Sequence, residues 1–123
     1  MTTTRKIVCA LMLALPFSAF AGKDEADLAL TAARANVAAA ERADAAKHAT
    51  LELKAARDLL TRAEGSFEDR DWTDAEREAE RAKADARLAE TRARQHTSET
   101  RLAEMEAAIR TLRTEINREG ARS

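Results

Sequence analysis

Between Ala75 and Ala93 an alanine returns at alternating steps of four and three residues: Ala75, Ala79, Ala82, Ala86, Ala89 and Ala93. An α-helix turns once every 3.6 residues, so this spacing lays all six methyl groups on one stripe. A stripe this shallow is buried only where another helix comes close. The preceding stretch supplies a facing stripe at Leu53, Ala56, Leu60, Ala63 and Phe67. Asp69, Arg70 and Asp71 lie between the two, a span short enough for a tight turn. Two facing stripes joined so closely make an antiparallel helical hairpin. Asp71, with Asp74 three residues on, fits an N-cap for the second arm; Thr73 with Glu76 is a competing capping box.

The fold class that follows is all-α, a long coiled-coil-like antiparallel hairpin forming one domain over 22–123. Its arms run from about 25 to 68 and from about 72 to 118. The second arm has no breaker before Gly120 and would be about 70 Å long at 1.5 Å per residue. In the first arm, steps of four and three back from Leu53 reach Ala49, Ala46, Arg42, Ala39, Ala35, Ala32 and Leu28, with Arg42 the sole interruption. Neither Gly nor Pro occurs between Glu25 and Glu64, so one continuous helix is the favoured expectation. The alternative is a break near 47–50, with Thr50 as an N-cap, which gives three helices.

Past Ala93 the alanine stripe fades through Arg94–Glu99, and a greasier one begins at Leu102, Met105, Ile109, Leu112 and Ile116. The new stripe lies about 180° around the helix from the alanines, counting 100° per residue. It needs a cover of its own, either the Leu28–Ala39 region of the first arm or a second molecule. With Leu102, Ile109 and Ile116 at heptad a and Met105 and Leu112 at d, the pattern suits a weak parallel homodimer. Trp72, beside Phe67 at the turn, either closes the hairpin end or presents a partner hot spot.

The first 21 residues have a different character. Arg5 and Lys6 precede an apolar run, IVCALMLALPF, that is too short to span a bilayer, and Ala19-Phe20-Ala21 supplies a signal-peptidase site. The expectation is a signal peptide cleaved after Ala21 and a periplasmic protein with no integral membrane segment. Cys9, the one cysteine, sits in that leader, so the mature chain has no disulfide or thiolate. Two of the 21 basic residues and none of the 22 acidic ones precede Gly22, which leaves 19 against 22, a net charge of −3. Both signs alternate along the helices, a pattern unlike the basic face of a nucleic-acid binder.

Chemistry-bearing groups are few. His48 and His96 would face each other across the hairpin within about a turn, and Asp44 and Glu99 lie near them in sequence. These four make a conceivable metal site, although no H-x-x-x-H pair or thiolate supports it. The acidic residues have basic partners four positions on, as in Asp58/Arg62, Glu90/Arg94 and Glu106/Arg110. No phosphate loop or nucleophile–base set is present. No enzyme activity and no cofactor are expected.

Leu53-x-x-Ala56-x-x-x-Leu60-x-x-Ala63, then Arg70-Asp71-Trp72-x-x-Ala75, then Ala82-x-x-Asp85-Ala86-x-Leu88-Ala89, resembles the bacterial family known as domain of unknown function 4398. The resemblance covers roughly Ala32 to Arg94. It implies an exported, alanine-rich, helical protein of the cell envelope. Some members carry a peptidoglycan-binding OmpA-like domain; none is present here, so cell-wall binding is not carried over. Members commonly have Ala-Pro before the first Leu of the motif, where this chain has Ala49-Thr50. The family has no assigned catalytic residues. The resulting expectation is an envelope protein acting as a structural or protein-interaction element, with an unidentified envelope partner. The alternative is a periplasmic sensor or buffer holding a small ligand or metal between its helices. N-terminal sequencing of protein extracted from the envelope should read from Gly22; an intact Met1, or fractionation with the inner membrane, would defeat the export reading.

Overall fold

A computed structural model describes residues 18–122, all α-helix and turn with no strand among them. Four helices follow in order: α1 (Ser18–Arg42), α2 (Ala45–His48), α3 (Thr50–Glu68) and α4 (Trp72–Gly120). Of the expected leader, only Ser18–Ala21 falls within the described residues, as the first turn of α1; the rest lies outside them.

The hairpin of α3 and α4 is the one the stripes require. Ala75, Ala79, Ala82, Ala86, Ala89 and Ala93 are all fully buried, as are Ala56 and Ala63, with Leu53 nearly so. Leu60 and Phe67 pack partly buried against them. Asp69, Arg70 and Asp71 form the turn, with Arg70 in the left-handed region at φ 64° and the Asp71 N–H bonded to the Ser66 carbonyl at 2.8 Å. Asp71 is the N-cap of α4, its carboxylate accepting the Asp74 N–H at 3.3 Å. Trp72 meets Phe67 edge to face with ring centroids 4.9 Å apart, and the chain at Gly22 passes against its side chain. The tryptophan therefore closes the end of the fold.

The favoured continuous first arm is not what forms; the chain breaks twice, at Ala43–Asp44 and, within the 47–50 region of the alternative, at Ala49, giving four helices instead of three. α1 ends at Arg42, and Asp44 takes φ 60°, the left-handed conformation that Asp and Asn adopt more readily than most residues. Ala43 N–H shares the carbonyls of Ala39 and Ala40, at 3.1 and 3.2 Å, and Asp44 N–H takes that of Glu41 at 3.1 Å. A second irregular residue, Ala49 (φ −146°), separates α2 from α3. Thr50 is the first residue of α3 instead of its cap; its hydroxyl donates back to the Ala46 carbonyl at 3.0 Å, tying α2 to α3. Over these few residues the chain reverses.

Ion pairs give the directions. Arg34 bonds Glu64 at 2.8 Å and Arg57 bonds Glu41 at 2.5 Å, so α1 and α3 are antiparallel. Arg87 donates to Asn36 Oδ1 at 3.1 Å, fourteen residues along α1 and fifteen along α4 from the Gly22–Trp72 contact, so α1 runs parallel to α4. Ser66 donates to Glu78 at 2.9 Å, and Arg92 pairs with Glu52, holding α3 antiparallel to α4. The result is an up–down–up bundle in which α4 packs on both α1 and α3.

The reversal also shifts the buried face of α1. The stripe extrapolated back from Leu53 is wrong there: Leu28 is 71% exposed, and Ala35 and Ala46 are exposed too. Ala26, Ala29, Leu30, Ala33, Val37 and Ala40 are buried instead. A left-handed residue breaks the 100° step, so the phase of one helix carries no information about the other. Leu30 and Leu53 are the largest fully buried side chains, and alanine fills most of the rest. Close-packed methyl layers leave no space for a larger group. Ala82→Leu should cost about 1–3 kcal/mol by overpacking. Trp72→Ala should cost about 3 kcal/mol and Asp71→Ala about 1 kcal/mol, both read from urea melts. A Trp72→Ala protein as stable as the parent would show that the tryptophan closes nothing.

Candidate functional site

The bundle ends before α4 does. Ala93 is the last buried residue of α4, Thr97 is half-buried, and every residue from Ser98 to Arg122 is exposed. Neither the bundle helices nor the turn residues cover this overhang. The expectation that Leu28–Ala39 might lie over it fails, because α1 packs along α3 and the bundled half of α4. From Ser98 to Gly120 the overhang is about 35 Å long at 1.5 Å per residue.

Along one side of it stand the five residues of the greasy stripe: Leu102 (59% exposed), Met105 (63%), Ile109 (49%), Leu112 (56%) and Ile116 (67%). The bundle contributes nothing to them. In the same heptad register the buried alanines fall at b and f, across the helix from a and d. The line of a and d positions therefore continues down the solvent side of the bundled half, through Ser98, Gln95, Thr91, Leu88 and Ala84, all exposed. Leu88, on that line, is itself 43% exposed. Thus α4 has two faces with different tasks. One is spent on the bundle, and the other is bare from Leu88 to Ile116.

The flanks of the bare stripe carry both charges. Glu106 lies 3.9 Å from Arg110 in a loose pair, Gln95 donates to Glu99 at 2.9 Å, and Thr111 and Thr114 bond their own helix backbone. Elsewhere most ion pairs are exposed on both sides and each contributes about 0.2–1 kcal/mol, while Glu52, Lys83 and Glu90 are half-buried in theirs. At Asp58 the hydrogen bond from Lys54 holds the carboxyl below the usual range, against an opposing desolvation and with help from the charges of Lys54 and Arg62.

The histidines do meet. His48 at the end of α2 and His96 on α4 stack with centroids 4.2 Å apart and planes at 19°. The hairpin pairs one turn further along α4 than a count about residue 70 or 71 gives, so His96 faces His48 itself instead of Ala45. Asp44 and Glu99 do not join them: Asp44 pairs with Lys47 at 3.5 Å, and Glu99 accepts from Gln95. Among the described residues no group of three or more His, Cys, Asp or Glu gathers as a metal site would require. Beside this junction an open groove of about 500 Å³ runs between the end of α1 and α4, lined by Arg42, Asp44, Arg94 and Arg101 among others. Sequence reasoning did not find it, since it exists only because α1 stops at Arg42.

None of the described helices is long and apolar enough to cross a membrane, and no polar or charged residue among them is buried. No curated protein matches this chain, and no solved structure does. A family match spans residues 28–105, taking in the bundle from Leu28 onward and the start of the bare stripe. The alanine seam, the capped turn before Trp72 and that match agree: the chain belongs to the family described as domain of unknown function DUF4398.

Proposed function

We propose that this protein is an exported helical component of the cell envelope that acts by protein–protein contact and not as an enzyme. One observation carries the reading: five large apolar side chains in heptad spacing stand bare on a helix that has left its bundle. A helix in water has no use for such a stripe, and soluble monomers rarely expose apolar patches beyond a few hundred Å². The apparent leader before Gly22 supports a periplasmic location. The bundle then serves as a rigid base that holds the overhang out from its surface.

A second reading, a small-ligand or metal sensor, has one observation in its favour, the stacking of His48 on His96. Zinc and copper titrations read by circular dichroism and Trp72 fluorescence separate the two. Under the contact reading, equimolar metal leaves the melting temperature where it was. A saturable rise that His96→Ala abolishes would favour the sensor.

The contact reading is tested in the cell by a photo-cross-linker placed at exposed positions of the overhang. Cross-linked adducts are expected from Leu102 to Ile116 and should be lost in Ile109→Asp, while the purified variant keeps the helicity of the parent. Adducts unchanged by Ile109→Asp, or none at any overhang position, would overturn the assignment.

A further inference from the structure

Resting on the reading that the overhang is a contact surface, we propose that its occupant is a second copy of this chain, aligned in parallel. The stripe is self-complementary in three respects. Two parallel copies stack Leu102, Met105, Ile109, Leu112 and Ile116 each on its own counterpart, so all five layers close at once. An antiparallel pair must match a against d, and that offset leaves one end of a five-residue stripe without a partner. Isoleucine at two of the three a positions with leucine at one d position also favours two parallel strands.

Charge points the same way. Arg101 occupies g and Glu106 the following e, the two positions that meet across a parallel seam. Each chain offers one of each, so both sides of the dimer close with opposite charges. Glu106 is held only loosely by Arg110, at 3.9 Å, and can turn to the partner. A lipid surface would call for a cationic margin, but the flanking e and g positions mix Glu106 and Glu115 with Arg101 and Arg113. The same chain's α1 is already committed to the bundle, with its apolar side against α3 and α4.

Geometry allows the pairing. The bare face lies across the helix from the alanine seam, so each bundle sits on the outer side of its own α4. The five side chains are 49–67% exposed, about 500 Å² per chain, so a pair removes at most about 1,000 Å² of this area from water, the low end for a weak specific interface. Leu88 extends the contact toward the bundle. Association and side-chain ordering offset most of what this burial contributes, so the dimer is weak, with a dissociation constant on the order of micromolar.

Sedimentation over a wide concentration range should show monomer passing to dimer around the micromolar region. Ile109→Asp should weaken the dimer by about 100-fold, while the dilute protein melts as the parent does because Ile109 touches nothing in the bundle. Orientation is read in a Cys9→Ser background. Ser98→Cys, at a d position on the seam axis, should oxidise to a disulfide-linked dimer, whereas Asn117→Cys, at an outer b position, should not. A monomer at every concentration, or a dimer indifferent to Ile109→Asp, overturns the proposal. A dimer that Ser98→Cys fails to link overturns the parallel alignment. If the protein is monomeric yet its overhang still cross-links to another polypeptide in cells, self-association falls and the contact reading stands. Loss of both sinks both.

Discussion

The close approach of α1 and α3 to the alanine seam of α4 is the contact on which the rest of this structure depends. Six alanines on one helix bury completely only if two neighbours come near enough to touch methyl groups. That requirement sets the thin bundle. It also explains why Leu30 and Leu53 suffice as its large buried side chains. Alanine is at once the best helix former and the smallest apolar side chain, so local preference and packing agree along the seam. The cost is shallow burial per residue, which the bundle offsets by length and by ion pairs such as Arg34–Glu64 and Glu41–Arg57.

Those pairs are individually weak. Their value lies in register: a methyl seam has little shape to stop one helix sliding on another, whereas Arg57–Glu41 and Ser66–Glu78 are met in one alignment only. At the far end, Phe67 and Trp72 do the same with aromatic bulk. Polar and aromatic groups thus specify the arrangement that the alanines merely permit.

The bundle also decides what is left over. The chain turns back over Ala43–Ala49, and no other described helix lies alongside α4 beyond Thr97, where every described residue is exposed. The same turn creates the arginine-lined groove and brings His48 against His96. Two irregular residues, Asp44 and Ala49, therefore separate a continuous first arm from the folded-back bundle.

Much of this was legible in the chain itself. The buried face of α4, the α3–α4 turn, the Asp71 cap and the shift of the apolar stripe at Leu102 all follow from side-chain periodicity, because helix geometry is local and repeats. Membership of the DUF4398 family was legible too, in motifs that lie on those same elements. The reversal at Asp44 was not. Without Gly or Pro it leaves no strong mark, and an Asp among alanines is equally at home on a helix surface. The choice fell to tertiary packing: folding α1 back gives its Ala26–Ala40 face two neighbours, where an extended arm would give it one. The sequence by itself determined which faces of α3 and α4 are apolar. Only the tertiary structure decided which of those faces is covered, because covering depends on where the chain reverses, and the backbone angles of Asp44 and Ala49 carry that reversal.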